Sequence, residues 1–150
     1  YYHAAGGEIA WRSGGMFALR AYGRYYRYQG GENGYQAGVR PTLTFGRLNN
    51  LVGVEISRLR GPDNAYTLIR GYGIWHPSRA ADITLDFSEY LYDHDVGGFG
   101  RSHIVGLSAG YEVVENGKLQ GDLFMSVNPE FDQNLTGMVK FTYAFNSYVK

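Results

Sequence analysis

The chain has 150 residues, a formal net charge of zero and no cysteine, so it fits one domain of ordinary size. A neutral chain has no basic excess for a phosphate backbone, which argues against nucleic acid as a partner. Without cysteine there are no disulfides, no thiolate catalysis and no cysteine-ligated metals. No run of about 18 apolar residues is present, which excludes a transmembrane helix.

Turn signals rich in Gly, Asn, Asp and Pro divide the chain at hairpin spacing. They predict nine strands, at about 7–13, 16–29, 35–46, 51–60, 65–76, 80–92, 102–114, 119–128 and 135–146. Most of these segments are about ten to fourteen residues long, whereas strands of globular proteins average about five or six. A tilted strand that crosses a membrane needs about 9–11 residues. Strand length therefore favours a transmembrane barrel over a soluble sandwich.

Nearly every segment alternates between apolar and polar side chains, the two-residue period of a strand with two different environments. The third segment places on one side Ala37, Val39, Pro41, Leu43 and Phe45, and on the other Gln36, Gly38, Arg40, Thr42 and Thr44. The last segment places on one side Leu135, Gly137, Val139, Phe141, Tyr143 and Phe145, and on the other Thr136, Met138, Lys140, Thr142, Ala144 and Asn146. In 80–92, Glu89 interrupts the apolar side, which suggests a membrane boundary or a bulge.

The polar sides carry charges of both signs, with Ser, Thr, Gly and Tyr between them. Lysine is scarce, at three of the fourteen basic residues, which is unusual for a surface that faces bulk water. We therefore predict that the polar sides line the lumen of a small barrel, where paired charges are tolerable. The predicted lumen-lining residues are Arg20, Tyr22, Arg24, Tyr26, Arg40, Glu55, Arg70, Asp86, Glu112, Asp122 and Lys140.

Over essentially all 150 residues the pattern resembles that of Gram-negative outer-membrane β-barrels. Tyr and Trp near segment ends resemble their aromatic girdles, and these residues are Trp11, Tyr25, Tyr26, Tyr28, Tyr35, Trp75, Tyr90 and Tyr92. Phe141, Tyr143 and Phe145 resemble the aromatic signal in the last strand of such proteins. The resemblance implies an all-β, antiparallel transmembrane barrel of about 8–10 strands with short turns. It also implies a bacterial outer-membrane location, with the lipid bilayer as partner and other subunits of an outer-membrane complex as an open alternative.

The strand count leaves the domain organisation open. Bacterial single-chain barrels have even strand numbers, so nine segments imply eight strands, ten strands, or the C-terminal part of a larger barrel. We treat residues 1–150 as a single β-barrel domain with that alternative retained. The longest connection is predicted between Asp93 and Arg101.

The leading functional prediction is a passive conduit or export pore, with no catalytic residue, no cofactor and no metal. A first alternative is a plugged barrel that serves as a structural anchor or adhesion scaffold, in which the lumen arginines pair with Glu55, Asp86, Glu112 and Asp122. A second is a lipid A-modifying outer-membrane hydrolase that uses His76 as base and Ser78 as nucleophile. A soluble ligand-binding barrel such as a lipocalin fits the long strands and the scarce lysine poorly.

Overall fold

The computed structural model describes residues 3–28, 30–62, 65–128 and 131–144, with the backbone alone described at 131 and 132. In this part of the chain nine strands form one antiparallel sheet whose spatial order follows the sequence. The strands are β1 (His3–Ser13), β2 (Phe17–Arg27), β3 (Asn33–Phe45), β4 (Asn50–Arg60), β5 (Ala65–Ser78), β6 (Ala81–Val96), β7 (Phe99–Val114), β8 (Gly117–Asn128) and β9 (Phe131–Tyr143). The described residues contain no helix long and apolar enough to cross a membrane. The predicted all-β antiparallel fold class is confirmed.

All nine predicted strands are present, and β1 pairs with β2 along its whole length. Because the number of strands is odd, β1 and β9 run in the same direction, and each has one neighbour within the described sheet. The described residues therefore do not reach the even count expected of a closed antiparallel barrel. Phe145 and Asn146 of the predicted last strand lie outside the described residues.

The predicted long connection between Asp93 and Arg101 is wrong. β6 continues to Val96 and β7 begins at Phe99, with Gly97 and Gly98 alone between them. Both glycines have positive φ, 60° and 86°, the left-handed conformation that a tight hairpin turn needs and that glycine adopts readily. The pairing shifts register between Leu91 and Val96, so the two strands reach the turn despite an irregular stretch.

The two faces of the sheet show the reverse of the usual burial pattern. Along β4, Val54 and Ile56 are 42% and 50% exposed, whereas Glu55 and Ser57 are 4% exposed. The buried polar residues of the described chain are Glu55, Ser57, Ser88, Ser102 and Asp122, and no apolar side chain in this part of the chain is buried. Soluble proteins bury apolar side chains and expose carboxylates. We call the side of Glu55 the polar face and the side of Val54 the apolar face.

The hairpin connections define two ends of the sheet. We call the end that carries the connections after β1, β3, β5 and β7 the lower end, and the end that carries those after β2, β4, β6 and β8 the upper end. The predicted aromatic girdle divides between the two faces. Trp11, Tyr25, Tyr35 and Trp75 are exposed on the apolar face, whereas Tyr26, Tyr90 and Tyr92 share the polar face.

Candidate functional site: the polar face of the sheet

Strand register places all eleven predicted lumen-lining residues on the polar face. Residues directly opposite each other on neighbouring strands point to the same side. The pairs that establish the shared face from β2 to β9 are Arg20 with Arg40, Gly38 with Ser57, Glu55 with Arg70, Tyr72 with Asp86, Asp86 with Gly106, Glu112 with Lys118, and Gln120 with Lys140. Tyr22, Arg24, Tyr26, Asp86 and Asp122 follow by the two-residue period of the same strands. A common face is what a lumen-lining role requires.

Glu55 is the centre of a cluster on this face in which both of its carboxylate oxygens accept hydrogen bonds. Its Oε2 accepts a hydrogen bond from Arg40 Nε at 3.0 Å, and its Oε1 accepts one from the Tyr22 hydroxyl at 2.8 Å. The Glu55 carboxylate is nearly inaccessible to water, so its charge depends on these donors. Three neighbouring strands are joined here through one carboxylate.

A second cluster joins β5 and β6. Arg70 Nε donates to both carboxylate oxygens of Asp86, at 2.9 and 3.1 Å, and the Arg70 guanidinium lies 5.2 Å from the centre of the Tyr72 ring. The Tyr72 hydroxyl is 3.2 Å from Thr42 Oγ1, so the cluster reaches across to β3. The predicted pairing of lumen arginines with Glu55 and Asp86 therefore occurs for Arg40 and Arg70.

Two further ion pairs of the polar face were not predicted from the sequence. Arg20 pairs with Glu8 of β1, and Lys118 of β8 pairs with Asp82 of β6. Glu8 and Asp82 fall at polar-face positions inside predicted strands, so strict alternation would have identified them. Lys118 lies one residue before the predicted strand 119–128, so the error in that boundary left it without a predicted face.

Glycines leave room on the polar face for aromatic rings. A Cβ atom on Gly38 would lie 2.7 Å from the Tyr22 ring, and one on Gly53 would overlap the Tyr72 ring. Each tyrosine therefore lies across the backbone of a neighbouring strand, in space that any other residue would fill. These contacts orient the hydroxyls of Tyr22 and Tyr72 toward their partners in the two clusters.

Arg24 differs from the other central arginines because it makes no hydrogen bond or ion pair within the described residues. It is exposed, and its Cγ would lie 2.7 Å from a Cβ on Gly6, so its stem crosses β1 where no side chain intervenes. A pocket of about 450 Å³ is lined by Arg24 and by Gly6, Gly7, Glu8, Arg20, Tyr22, Gln36, Arg40 and Glu55. The pocket therefore holds a cation whose hydrogen-bonding capacity is unused.

The remaining predicted residues are not paired with arginine. Asp122 is buried and its Oδ1 accepts a hydrogen bond from Gln120 Nε2 at 2.9 Å. Glu112 and Lys140 are exposed near the lower end of the face. The alternative in which Glu112 and Asp122 neutralise lumen arginines is therefore wrong for these two carboxylates, because no arginine of β2–β5 reaches β7 or β8.

His76 and Ser78 lie at the lower end of β5, beside a register shift between Trp75 and Ser78. The Ser78 hydroxyl accepts a hydrogen bond from the Ala80 amide at 3.3 Å, and Nδ1 of His76 is buried without a partner. The two side chains make no hydrogen bond with each other. Across the described ranges, no group of three or more His, Asp or Glu side chains is placed to hold a metal ion.

The fold belongs to a class in which an antiparallel sheet presents one apolar and one charged face, as in porin barrels. No family model matches the chain. No curated protein matches it either.

A solved structure of the KdgM porin in complex with disordered oligogalacturonate matches with a TM-score of 0.54. The match covers 97% of this chain and 82% of the porin chain, at 15% sequence identity. The chain therefore shares the fold of a porin. At this identity the likeness extends to the fold alone.

Proposed function

We propose that this chain forms the wall of an outer-membrane β-barrel, with its apolar face toward lipid and its polar face toward an aqueous lumen, and that it acts as a passive, porin-like channel. The observation that carries the proposal is the reversed burial of β4, where Val54 is exposed and Glu55 is buried. An exposed aliphatic face is costly in water and favourable in lipid. The porin fold of the structural neighbour supports the same assignment.

The strand lengths agree with a membrane wall. The nine strands have 11 to 16 residues, enough to cross the hydrocarbon core when tilted. In a bilayer every backbone donor and acceptor needs a partner, so a closed sheet is the structure that strands can adopt there. The edges of β1 and β9 must therefore be paired in the membrane.

The polar face provides a mechanism for selective but passive passage. Arg40, Glu55, Arg70 and Asp86 are held in fixed positions by mutual ion pairs, so they shape the lumen without offering free charge. The exposed, unpaired Arg24 guanidinium adds a positive field at one side of the passage. Fixed lumen charges of one sign favour counter-ions over co-ions. We therefore infer a channel with a preference for anions.

We further propose that acidic saccharides are among its solutes. The structural neighbour is a porin that binds oligogalacturonate, a chain of carboxylate-bearing sugars. In the present chain the pocket at Arg24 combines a free guanidinium with the Gln36 amide and the Tyr22 ring. Arginine binds carboxylates through two parallel hydrogen bonds, and aromatic rings stack on sugars.

Single-channel recording in planar bilayers tests this function. The wild type should conduct with a chloride-to-potassium permeability ratio above one, and Arg24→Ala should lower that ratio and abolish block by an acidic oligosaccharide. Arg47→Ala, in the turn between β3 and β4, removes the same charge away from the polar face and should leave both unchanged. Absence of conductance from correctly inserted protein would favour the plugged anchor or adhesion barrel, which the ion pairs of the polar face would also suit.

The hydrolase alternative has a separate readout. If His76 and Ser78 act on lipid A, purified protein would release fatty acid, and His76→Ala would stop the release. We expect no release from either protein, because the Ser78 hydroxyl hydrogen-bonds a backbone amide and does not contact His76.

A further inference from the structure

The charged side chains of the apolar face lie in the upper half of the sheet alone. Within the described strands they are Arg27, Arg58, Arg60, Glu89, Asp93 and Arg101. The lower half of the same face carries aliphatic and aromatic side chains, such as Leu43, Phe45 and Tyr111. The upper rim of this face therefore carries four arginines and two carboxylates, and its positive excess consists of guanidinium groups.

Arg58 is held in place at the centre of this rim. Its Nη1 donates to Thr67 Oγ1 at 3.0 Å, and its Nη2 forms an ion pair with Asp93. Both charged side chains of the pair remain 33% exposed. Asp93 already has a partner in this ion pair, and the neighbouring arginine on the same face makes no direct ion pair with it.

Arg60 is that neighbour, two residues further along β4 on the same face. It is exposed and makes no hydrogen bond or ion pair within the described residues. A cleft of about 540 Å³ opens beside it at the upper rim, where Asp93 and His94 meet Tyr66 and Tyr92 of the polar face. A planar guanidinium with free donors at the edge of a cleft suits a tetrahedral oxyanion such as phosphate.

Along β4 the surface immediately below the two arginines is aliphatic, while Glu89 of β6 lies opposite Ile69 at the same level. Ile56 is opposite Ile69 on β5, and Val54 follows one position lower on the same face. Ile56 and Val54 are among the exposed apolar residues of the chain. A ligand that covers both regions needs an anionic head and a hydrocarbon tail, which distinguishes a lipid from a free anion.

We propose that Arg58 and Arg60 bind the phosphate group of a membrane lipid whose acyl chain lies over Ile56 and Val54. The inference rests on the proposed membrane location, and it assigns the upper end to the leaflet that contains this lipid. Arg60 supplies the free donors and the positive charge, and Arg58, whose charge Asp93 offsets, contributes the part of its side chain that remains exposed. The lower end offers no equivalent on its described apolar face.

Native mass spectrometry of the detergent-solubilised full chain tests this site, with lipid A that carries phosphomonoesters as the probe. Arg60→Gln should weaken binding about tenfold, the effect of losing one charge-assisted hydrogen bond. Arg47→Gln, at the lower end, should bind as the wild type does. Arg58→Lys keeps the charge but loses the planar fork, and an intermediate loss is expected.

Two further comparisons decide between lipid and free anion. Dephosphorylated lipid A should bind no better to the wild type than to Arg60→Gln. Inorganic phosphate at equal concentration should not displace the lipid, and full displacement would overturn the proposal. Equal affinity of Arg60→Gln and Arg47→Gln would also overturn it.

Heat-dependent gel migration of each variant reports barrel formation separately. Wild-type protein without such a shift would contradict the proposed membrane barrel itself, whereas a normal shift with unchanged lipid binding would contradict the lipid site alone.

Discussion

The two faces of β4 are exposed in the reverse of the order found in soluble proteins. Val54 and Ile56 project into the surroundings, while Glu55 and Ser57, one residue away, are almost completely covered. The covered side chains are polar and are satisfied by each other, as the bonds from Arg40 and Tyr22 to Glu55 show. Each face of β4 therefore suits the medium proposed for it, lipid on one side and a polar interior on the other. In the proposed membrane barrel, hydrocarbon accepts the valine, and only a polar interior accepts the glutamate.

The largest effect is expected from placing a charge in the middle of the apolar face. Val54→Arg should destabilise the protein in lipid vesicles by about 2–4 kcal/mol, because the guanidinium would face hydrocarbon. Chemical unfolding from vesicles, followed by tryptophan fluorescence, measures the change. Gln133→Arg introduces the same residue near the upper end of the same face and should cost at most about 1 kcal/mol. Equal losses at the two positions would contradict the assignment of Val54 to lipid.

A smaller loss is expected on the polar face from Glu55→Gln. The substitution keeps the shape but removes the charge that Arg40 and Tyr22 share, and we expect a loss of roughly 2 kcal/mol in the free energy of unfolding. Glu112→Gln removes an exposed carboxylate from the same face and should change stability by less than about 0.5 kcal/mol.

A double-mutant cycle with Arg40→Met separates the ion pair from other effects of Glu55. The loss in the double variant should be smaller than the sum of the two single losses, because each single change leaves a charge unpaired. Strict additivity would show that the contact between Arg40 and Glu55 contributes nothing measurable.

The smallest effect is expected from replacing glycines by alanine, and it should depend on whether an aromatic ring packs over the glycine. Gly53→Ala would displace the Tyr72 ring and should cost about 1–2 kcal/mol. Gly71→Ala, on the neighbouring strand, meets nothing within 4 Å and should be neutral or slightly stabilising. The same unfolding measurement compares them, and equal effects would show that the packing of Tyr72 on Gly53 is unimportant.

Much of this arrangement is predictable from the sequence, because a strand has a strict two-residue period. Arg40, Glu55 and Arg70 could be assigned to one face from alternation alone, and their register agrees. The partner of each charge was harder to predict, because pairing depends on how neighbouring strands are shifted relative to each other. Arg20 pairs with Glu8 for this reason, although the sequence pointed to carboxylates further along the chain.

Two other features depend on tertiary context that no local pattern encodes. The rings of Tyr22 and Tyr72 occupy the space above glycines on adjacent strands, and only the register brings each pair together. The extension of β6 and β7 to a two-glycine turn was hidden because Asp93, His94 and Asp95 have the composition of a loop. These three residues lie between the paired residues Leu91 and Val96, and Asp93 also contacts Arg58, so their strand conformation depends on neighbours that are distant in sequence.

One face is proposed to meet lipid and the other to meet water, and the absence of native cysteine allows a direct test. Single cysteines placed along β3 at Ala37, Val39 and Leu43 should carry a fluorophore that brominated lipids quench. Cysteines at Gln36, Thr42 and Thr44 should instead react with a small, water-soluble thiosulfonate and escape quenching. We expect this alternation at each of these positions along β3. Uniform labelling, or quenching at the Gln36, Thr42 and Thr44 positions, would contradict it.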